Sequence, residues 1–231
     1  MQRYHIQTNT TMKTNEALQK DVQDAIKWEP LLNAGEIGVT AKDGVITLTG
    51  VVDSYTKKLQ AEDAAKNVAG VKAVAEEITI EFNGAAKHND TQIATEVVNA
   101  FKFNWEVPSE KVHVTVEHGW VRLTGEVEWN YQKEAVRKAV RHLAGVKGVT
   151  NNLTIKANLH DAIEKMDIER ALSRNWSIDA EDIKVAVSGN RVTLNGIVDS
   201  IYQREEAGRI AWNAPGVRTV DNELIIDYDL M

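Results

Sequence analysis

The residues best suited to chemistry lie in one segment near the middle of the chain, from Trp129 to Arg141. Its basic residues recur four positions apart, and this spacing places them on one face of a helix. Two aromatic residues stand at the start of the segment. A basic helix face flanked by aromatics is typical of a helix that binds an anionic headgroup surface, where each Lys or Arg contributes about 1 kcal/mol. The candidate binding residues are Lys133, Arg137, Lys138, Arg141, Trp129 and Tyr131.

Catalytic patterns are absent from the sequence. The 231 residues include no cysteine, which excludes disulfides, thiolate catalysis and cysteine-ligated metals. There is no nucleophile elbow, phosphate-binding loop or HExxH helix. His113 and His118 flank one predicted turn beside Glu117, and we interpret them as exposed polar residues rather than as a weak metal site. The sequence therefore predicts a non-enzymatic protein with no metal and no cofactor.

The candidate binding segment belongs to a sequence that occurs three times. The segments KDGVITLTGVV, EHGWVRLTGEV and SGNRVTLNGIV begin at Lys42, Glu117 and Ser188 and align without gaps. A second glycine follows each segment at the same distance, in AGVKAV, AGVKGV and PGVRTV. The joints between the repeats are short, so we expect neighbouring repeats to touch. This pattern divides the chain into a polar tail at 1–14 and repeats at 15–82, 89–157 and 161–231.

Each repeat is predicted to fold as helix, strand, strand, helix, strand. Apolar residues recur at helical spacing in the two helical segments and alternate with polar residues in the other three. The final strand–helix–strand order implies a parallel crossover, so the sheet is mixed and both helices cover one face. The predicted fold class is α+β, with three tandem αββαβ units. Each unit is a three-stranded mixed sheet with two helices packed on one face.

Glycines mark the turns and ends of these elements. Gly44 and Gly119 fit a hairpin turn that needs a positive φ, and Asn190 is predicted to take this role in the third repeat. Asn15 is a candidate N-cap of the first helix. Other glycines end the second strand or follow the second helix of each repeat. These structural glycines are Gly50, Gly70, Gly125, Gly145, Gly196 and Gly216.

The αββαβ order, the glycine that ends the second strand and the GV..V motif after the second helix together resemble the BON domain. This bacterial family takes its name from osmotically induced and nodulation proteins. The resemblance covers all three repeats. It implies a non-enzymatic domain of periplasmic or transport-associated proteins that act in osmotic-shock protection and envelope maintenance. It also implies binding to phospholipid, as thought for several members.

Location and partners follow from composition only in outline. No apolar run is long enough to span a bilayer, and the N-terminus lacks the apolar region of a secretory signal. We therefore expect a cytoplasmic location for the sequence as given, and a periplasmic one if a leader was removed. The net charge of −7 and the lack of a base-stacking aromatic array argue against nucleic acid. The oligomeric state is left open.

Two interpretations of the basic helix remain open at this point. The first and third repeats are acidic, whereas the middle repeat is nearly neutral. In one interpretation, the helix binds an anionic phospholipid surface or an envelope protein. In the other, the protein is an interaction scaffold in which the basic middle repeat docks against its acidic neighbours or a partner.

The six tryptophans fall into two groups. One group follows the first helix of each repeat and is predicted to cap the core: Trp28, Trp105 and Trp176. The other group is predicted to be exposed within its own repeat: Trp120, Trp129 and Trp212. Exposed aromatic side chains usually mark a contact surface. The scaffold interpretation expects the second group to be buried between repeats or in an oligomer.

Overall fold

The computed structural model describes residues 13–84, 88–156, 163 and 165–227. Most of the predicted polar tail lies outside these residues, as does the joint at 158–160. Within the described ranges, each repeat has the predicted order of helix, strand, strand, helix, strand. The predicted α+β fold class with three tandem units is therefore confirmed.

Equivalent elements have similar lengths in the three repeats. The helices are α1 (Asn15–Lys27), α2 (Tyr55–Lys66), α3 (Asp90–Lys102), α4 (Asn130–Arg141), α5 (Lys165–Ser173) and α6 (Ile201–Trp212). The strands are β1 (Ile37–Lys42), β2 (Val45–Val52), β3 (Ala73–Ile80), β4 (Val112–Glu117), β5 (Trp120–Val127), β6 (Gly148–Ile155), β7 (Ile183–Ser188), β8 (Arg191–Val198) and β9 (Thr219–Ile226).

The second strand lies at the centre of each three-stranded sheet. In the first repeat, β2 pairs antiparallel with β1 and parallel with β3. The orders β4-β5-β6 and β7-β8-β9 follow the same pattern. Parallel neighbours require a crossover connection, which α2, α4 and α6 provide. The mixed sheet predicted for each unit is thus confirmed.

One face of each sheet forms a separate core with the two helices of its repeat. In the first repeat, Val22 of α1, Ala61 of α2 and Leu48 of β2 are completely buried in this core. The other two cores are built in the same way. Burying one large aliphatic side chain contributes about 1.5–3 kcal/mol. Alternate residues of the strands face away from the helices and are largely exposed.

A glycine inside each central strand allows the chain before the first strand to approach closely. Gly125 lies within β5 at φ +133°, and a Cβ at this position would overlap the carbonyl oxygen of Lys111. Gly50 and Gly196 have φ values of +131° and +140° and face a carbonyl oxygen in the same way. These glycines therefore lie two residues before the strand end, within the ladder, rather than ending the strand as predicted.

The first helix begins differently from the prediction. Thr14 caps α1, because its hydroxyl accepts a hydrogen bond from the Ala17 N–H at 3.2 Å. The predicted cap, Asn15, is the first helical residue. Its side-chain oxygen instead accepts from the N–H of Asp43 in the first hairpin turn at 2.8 Å, so this residue joins helix to hairpin.

The hairpin turns show a second difference. Gly44 and Gly119 have positive φ values of +84° and +83°. The residue before each of them also has a positive φ, at Asp43 (+53°) and His118 (+51°). In the third repeat only the equivalent first position, Gly189, has a positive φ, at +59°, so the prediction that Asn190 adopts one is wrong. The Asn190 side chain instead donates to the carbonyl of Gly216 at 2.7 Å.

The three repeats close into a ring through their second helices. Near the start of α2, the Thr56 hydroxyl donates to the carbonyl of Arg141 at the end of α4 at 3.2 Å. At the start of α4, Asn130 donates to Asn213, which follows α6, at 3.3 Å. Ile201 at the start of α6 packs against the core of the first repeat. The start of each second helix therefore contacts the neighbouring repeat in a closed cycle.

This head-to-tail arrangement relates the repeats by an approximate three-fold rotation within one chain. The chemistry of the joints differs. Tyr55, at the start of α2, packs against the core of the second repeat. Lys66 at the end of α2 contacts Glu205 of α6 at 3.0 Å. The expectation that neighbouring repeats touch is confirmed, and the contacts are specific to each pair.

The glycine inside the central strand is open to a direct test. We expect Gly125→Ala to destabilise the protein by about 3 kcal/mol or more, because both its φ and its contact with a backbone carbonyl exclude a side chain. Gly189→Ala is the matched control, since its φ is positive but no atom lies within 4 Å of a Cβ there. It should cost only about 1–2 kcal/mol. Equal losses in urea unfolding would contradict this account of Gly125.

Candidate functional site

The structure divides the basic residues of α4 among three places. Lys133 and Arg137 line a groove between the repeats. Arg141 ends the helix at the joint with the first repeat. Lys138 and Tyr131 remain exposed outside the groove, and Arg137 is exposed at the groove. The predicted binding residues therefore do not form one uninterrupted free face.

A hydrogen-bonded cluster at the joint between the first and second repeats was not predicted. Arg141 Nε donates to His142 Nε2 at 3.0 Å, so Nε2 is unprotonated and the neutral imidazole carries its proton on Nδ1. His142 Nδ1 lies 3.0 Å from the Thr56 hydroxyl, which in turn donates to the Arg141 carbonyl. Partial burial, followed by the charge of Arg141, lowers the pKa of His142. The contacts at this joint therefore favour the neutral form of His142.

A groove of about 800 Å³ lies where α2, α4 and α6 meet. Its lining includes as many acidic as basic side chains. Arg137 donates to Glu134 at 2.8 Å, and Arg209 makes a similar pair with Glu206. These pairs neutralise the groove, which therefore shows no excess of positive charge for an anionic ligand.

Burial affects the titratable groups on the first-repeat side of the groove. It raises the pKa of Asp63, which lies near Lys66. Burial also opposes the charge of Lys66, but hydrogen bonds and charges from Glu205 and Glu62 outweigh it and raise the pKa of Lys66. Lys66 therefore stays protonated and links α2 with α6.

The tryptophans predicted to be exposed have different surroundings. Trp212 is half-buried, packs against the core of the third repeat and lines the groove. Trp129 is also half-buried, at the start of α4. Trp120 is 55% exposed on the outer face of the middle sheet. The scaffold interpretation expects these tryptophans to be buried between repeats. Trp212 meets this expectation in part, and Trp120 does not.

The other three tryptophans do not cap the core, so this prediction is wrong. Trp28, Trp105 and Trp176 are 85%, 87% and 96% exposed. Aliphatic side chains close that end of the core instead, and Val107 and Ile178 are the buried examples. These aliphatic residues follow Trp105 and Trp176 by two positions, which is the sequence signal that could have distinguished the two roles.

These exposed residues define three surface segments that we term the aromatic loops: 28–31, 103–105 and 174–176. Phe103 and Leu31 add further exposed apolar surface to them. An exposed basic residue lies at or just before the start of each loop, namely Lys27, Lys102 or Arg174. A cation beside an exposed aromatic ring is typical of segments that lie at a membrane–water interface.

The described part of the chain offers little for metal binding or for membrane insertion. In it, no group of three or more His, Asp or Glu side chains could hold a metal ion. None of its helices is both long enough and apolar enough to cross a bilayer. Its surface features include the aromatic loops, the groove and the outer faces of the sheets.

Comparison with known sequences decides the family. The profile of the BON domain matches three times, at residues 14–81, 89–157 and 160–228. The chain belongs to the BON-domain family. Its three αββαβ units are therefore three BON domains, and the family resemblance of the sequence is confirmed.

Two curated relatives share this BON-domain character. The osmotically-inducible protein Y of Escherichia coli strain K12 is 28% identical over 144 residues, which cover 61% of this chain and 72% of that protein. The outer membrane lipoprotein DolP of Haemophilus influenzae is 28% identical over 145 residues, covering 62% of this chain and 75% of that protein. Both matches span about two of the three BON domains.

The His142 joint predicts a dependence of stability on pH. Unfolded histidine titrates near 6.5, and the folded joint lowers this pKa, so the unfolded state binds more protons in acid. Stability should therefore be fully retained above about pH 6.5 and should fall as the pH drops below it. Urea unfolding at about pH 7.5 and about pH 5 measures this loss.

His142→Asn is the matched control for this prediction, because asparagine occupies the equivalent positions 67 and 213. The variant should lose less stability than the wild type between the two pH values. Both proteins keep the same carboxylates, so the difference between their losses of stability is due to His142. An equal loss in the two proteins would contradict a neutral histidine at this joint.

Proposed function

We propose that this protein is a non-enzymatic BON protein of the bacterial cell envelope that acts under osmotic or envelope stress by attaching to anionic phospholipid surfaces. The observation that carries the proposal is the near-complete exposure of aromatic side chains at equivalent loops of all three domains. The names of the relatives, one osmotically inducible and one an outer membrane lipoprotein, support the envelope setting.

The energetics of the aromatic loops suit an interfacial contact. Inserting half of one indole ring, about 100 Å² of apolar surface, contributes about 2.5 kcal/mol. The adjacent Lys or Arg adds about 1 kcal/mol near an anionic surface. A single loop therefore supports only weak attachment, whereas several loops that act together bind more tightly through their high effective concentration.

The ring supports joint action of the loops. Rotation about an axis leaves equivalent points at the same height along that axis. Because the three domains are related by an approximate three-fold rotation, the loops at 28–31, 103–105 and 174–176 lie at the same level of the ring. This placement favours simultaneous contact of the loops with one surface over contact at one loop alone.

A second candidate function is an interaction scaffold, in which the ring presents itself to an envelope protein. The division of the basic residues of α4 favours this alternative. Lys133 and Arg137 face neighbouring domains across the groove, and Arg141 lies at a joint. This placement fits docking of the basic middle domain between its acidic neighbours, while Tyr131, Arg137 and Lys138 of the helix stay exposed.

Flotation with phosphatidylcholine vesicles, with and without phosphatidylglycerol, tests the phospholipid proposal. We expect the wild type to float with the anionic vesicles at low salt and to be released at high salt. Replacing Trp28, Phe103, Trp105 and Trp176 by serine should weaken binding about tenfold or more. Because these side chains are exposed, the variant should unfold at the same urea concentration as the wild type.

Two further variants test whether flotation depends on the aromatic loops rather than on other exposed residues. Trp120→Ala removes an exposed tryptophan outside the aromatic loops and should leave flotation unchanged. Lys138→Glu together with Tyr131→Ser changes two exposed residues of the basic helix that lie outside the groove, and it should have only a small effect. The proposal fails if the wild type does not float at low salt, or if the loop variant floats as well as the wild type.

A further inference from the structure

We propose that the outer face of the middle sheet is a binding site for a glycan chain, with Trp120 as the surface on which a sugar ring stacks. The site lies on strands β4, β5 and β6, away from the aromatic loops and the groove. It is independent of the phospholipid proposal.

The indole of Trp120 is held flat against the sheet. Trp120 lies opposite Gly148 in the parallel pair of β5 and β6. A Cβ on Gly148 would overlap the six-membered part of the indole ring, so the ring covers the backbone of this glycine. One ring face therefore contacts the sheet and the other faces solvent, with the side chain 55% exposed.

Comparison among the three domains shows that this arrangement belongs to the middle one. In the first domain, Val45 and Ala73 occupy the positions of Trp120 and Gly148. In the third domain, Arg191 occupies the tryptophan position and forms an ion pair with Asp221. The fold therefore does not require a tryptophan here. The middle domain combines a large residue with a glycine that makes room for it.

The side chains around the indole are polar. They project from the same face because alternate residues of a strand share one side. A shallow depression of about 460 Å³ beside the indole is lined in part by Thr115, Glu117, Arg122 and Thr150. Pockets of this size hold small organic ligands. Hydroxyl, carboxylate and guanidinium groups together offer both donors and acceptors.

This combination selects a glycan over a protein partner. The C–H bonds on one face of a pyranose form an apolar surface that stacks on the electron-rich face of an aromatic ring. Its hydroxyl groups then reach the polar side chains beside the ring. A protein interface instead needs an apolar centre made of several residues, and Trp120 is the sole large apolar side chain on the outer face of strands β4–β6.

Titration of the ¹⁵N-labelled protein with the β-1,4-linked tetramer of N-acetylglucosamine tests the proposal. The indole N–H signal of Trp120, assigned with Trp120→Phe, should shift with saturation, whereas the signals of Trp28, Trp105 and Trp176 should stay in place. No shift at millimolar tetramer, or equal shifts of all these signals, overturns the proposal. A Trp120 signal that changes with protein concentration alone indicates self-association and also overturns it.

A double variant tests the site without disturbing the fold. Trp120→Val with Gly148→Ala introduces the residue pair of the first domain, which this sheet geometry already accommodates. It should weaken tetramer binding about tenfold or more and still float with anionic vesicles. The serine variant of the aromatic loops should show the reverse. Unchanged tetramer binding by the double variant contradicts the proposed site.

Discussion

The contact between the start of each second helix and the neighbouring repeat is the constraint on which this protein depends. A domain of this size has a small core and gains little stability by itself. Placing Tyr55 against the second core and Ile201 against the first adds buried apolar surface at two of the joints. The cycle closes after three copies, so the start of each second helix contacts a neighbouring repeat. An open row of repeats would leave one such contact surface uncovered.

Closure of the ring also determines which surfaces remain for partners. The second helices face one another, and Lys66 of α2 pairs with Glu205 of α6 across a joint. The side chains of Trp28, Trp105 and Trp176 in the aromatic loops and of Trp120 on the outer face of the middle sheet stay exposed. The three joints differ in chemistry, because one is aromatic, one is made by amides and one is ionic. These differences favour one order of the repeats over another.

Repetition within one chain separates structural from functional residues. Positions such as Gly50, Gly125 and Gly196 are the same in each copy because the backbone geometry is the same. Positions that differ, such as Trp120 against Val45 and Arg191, lie where the fold accepts several side chains. Exposed aromatics recur near equivalent places, at Trp28, Phe103 and Trp105, and Trp176, although they do not contribute to any core.

The sequence by itself determined the repeat, the αββαβ order, the mixed sheet and the family, because these follow from local periodicity and from glycines with special backbone conformations. The prediction that Trp28, Trp105 and Trp176 cap the core was wrong, because nearby aliphatic residues such as Val107 and Ile178 close that end of the core instead. Only the tertiary structure decided the surroundings of Lys133, Arg137 and Arg141. Arg137 pairs with Glu134 of its own helix, but the groove beside Lys133 and Arg137 and the joint at Arg141 are completed by other repeats. The arrangement of the repeats depends on long-range packing that no local pattern encodes.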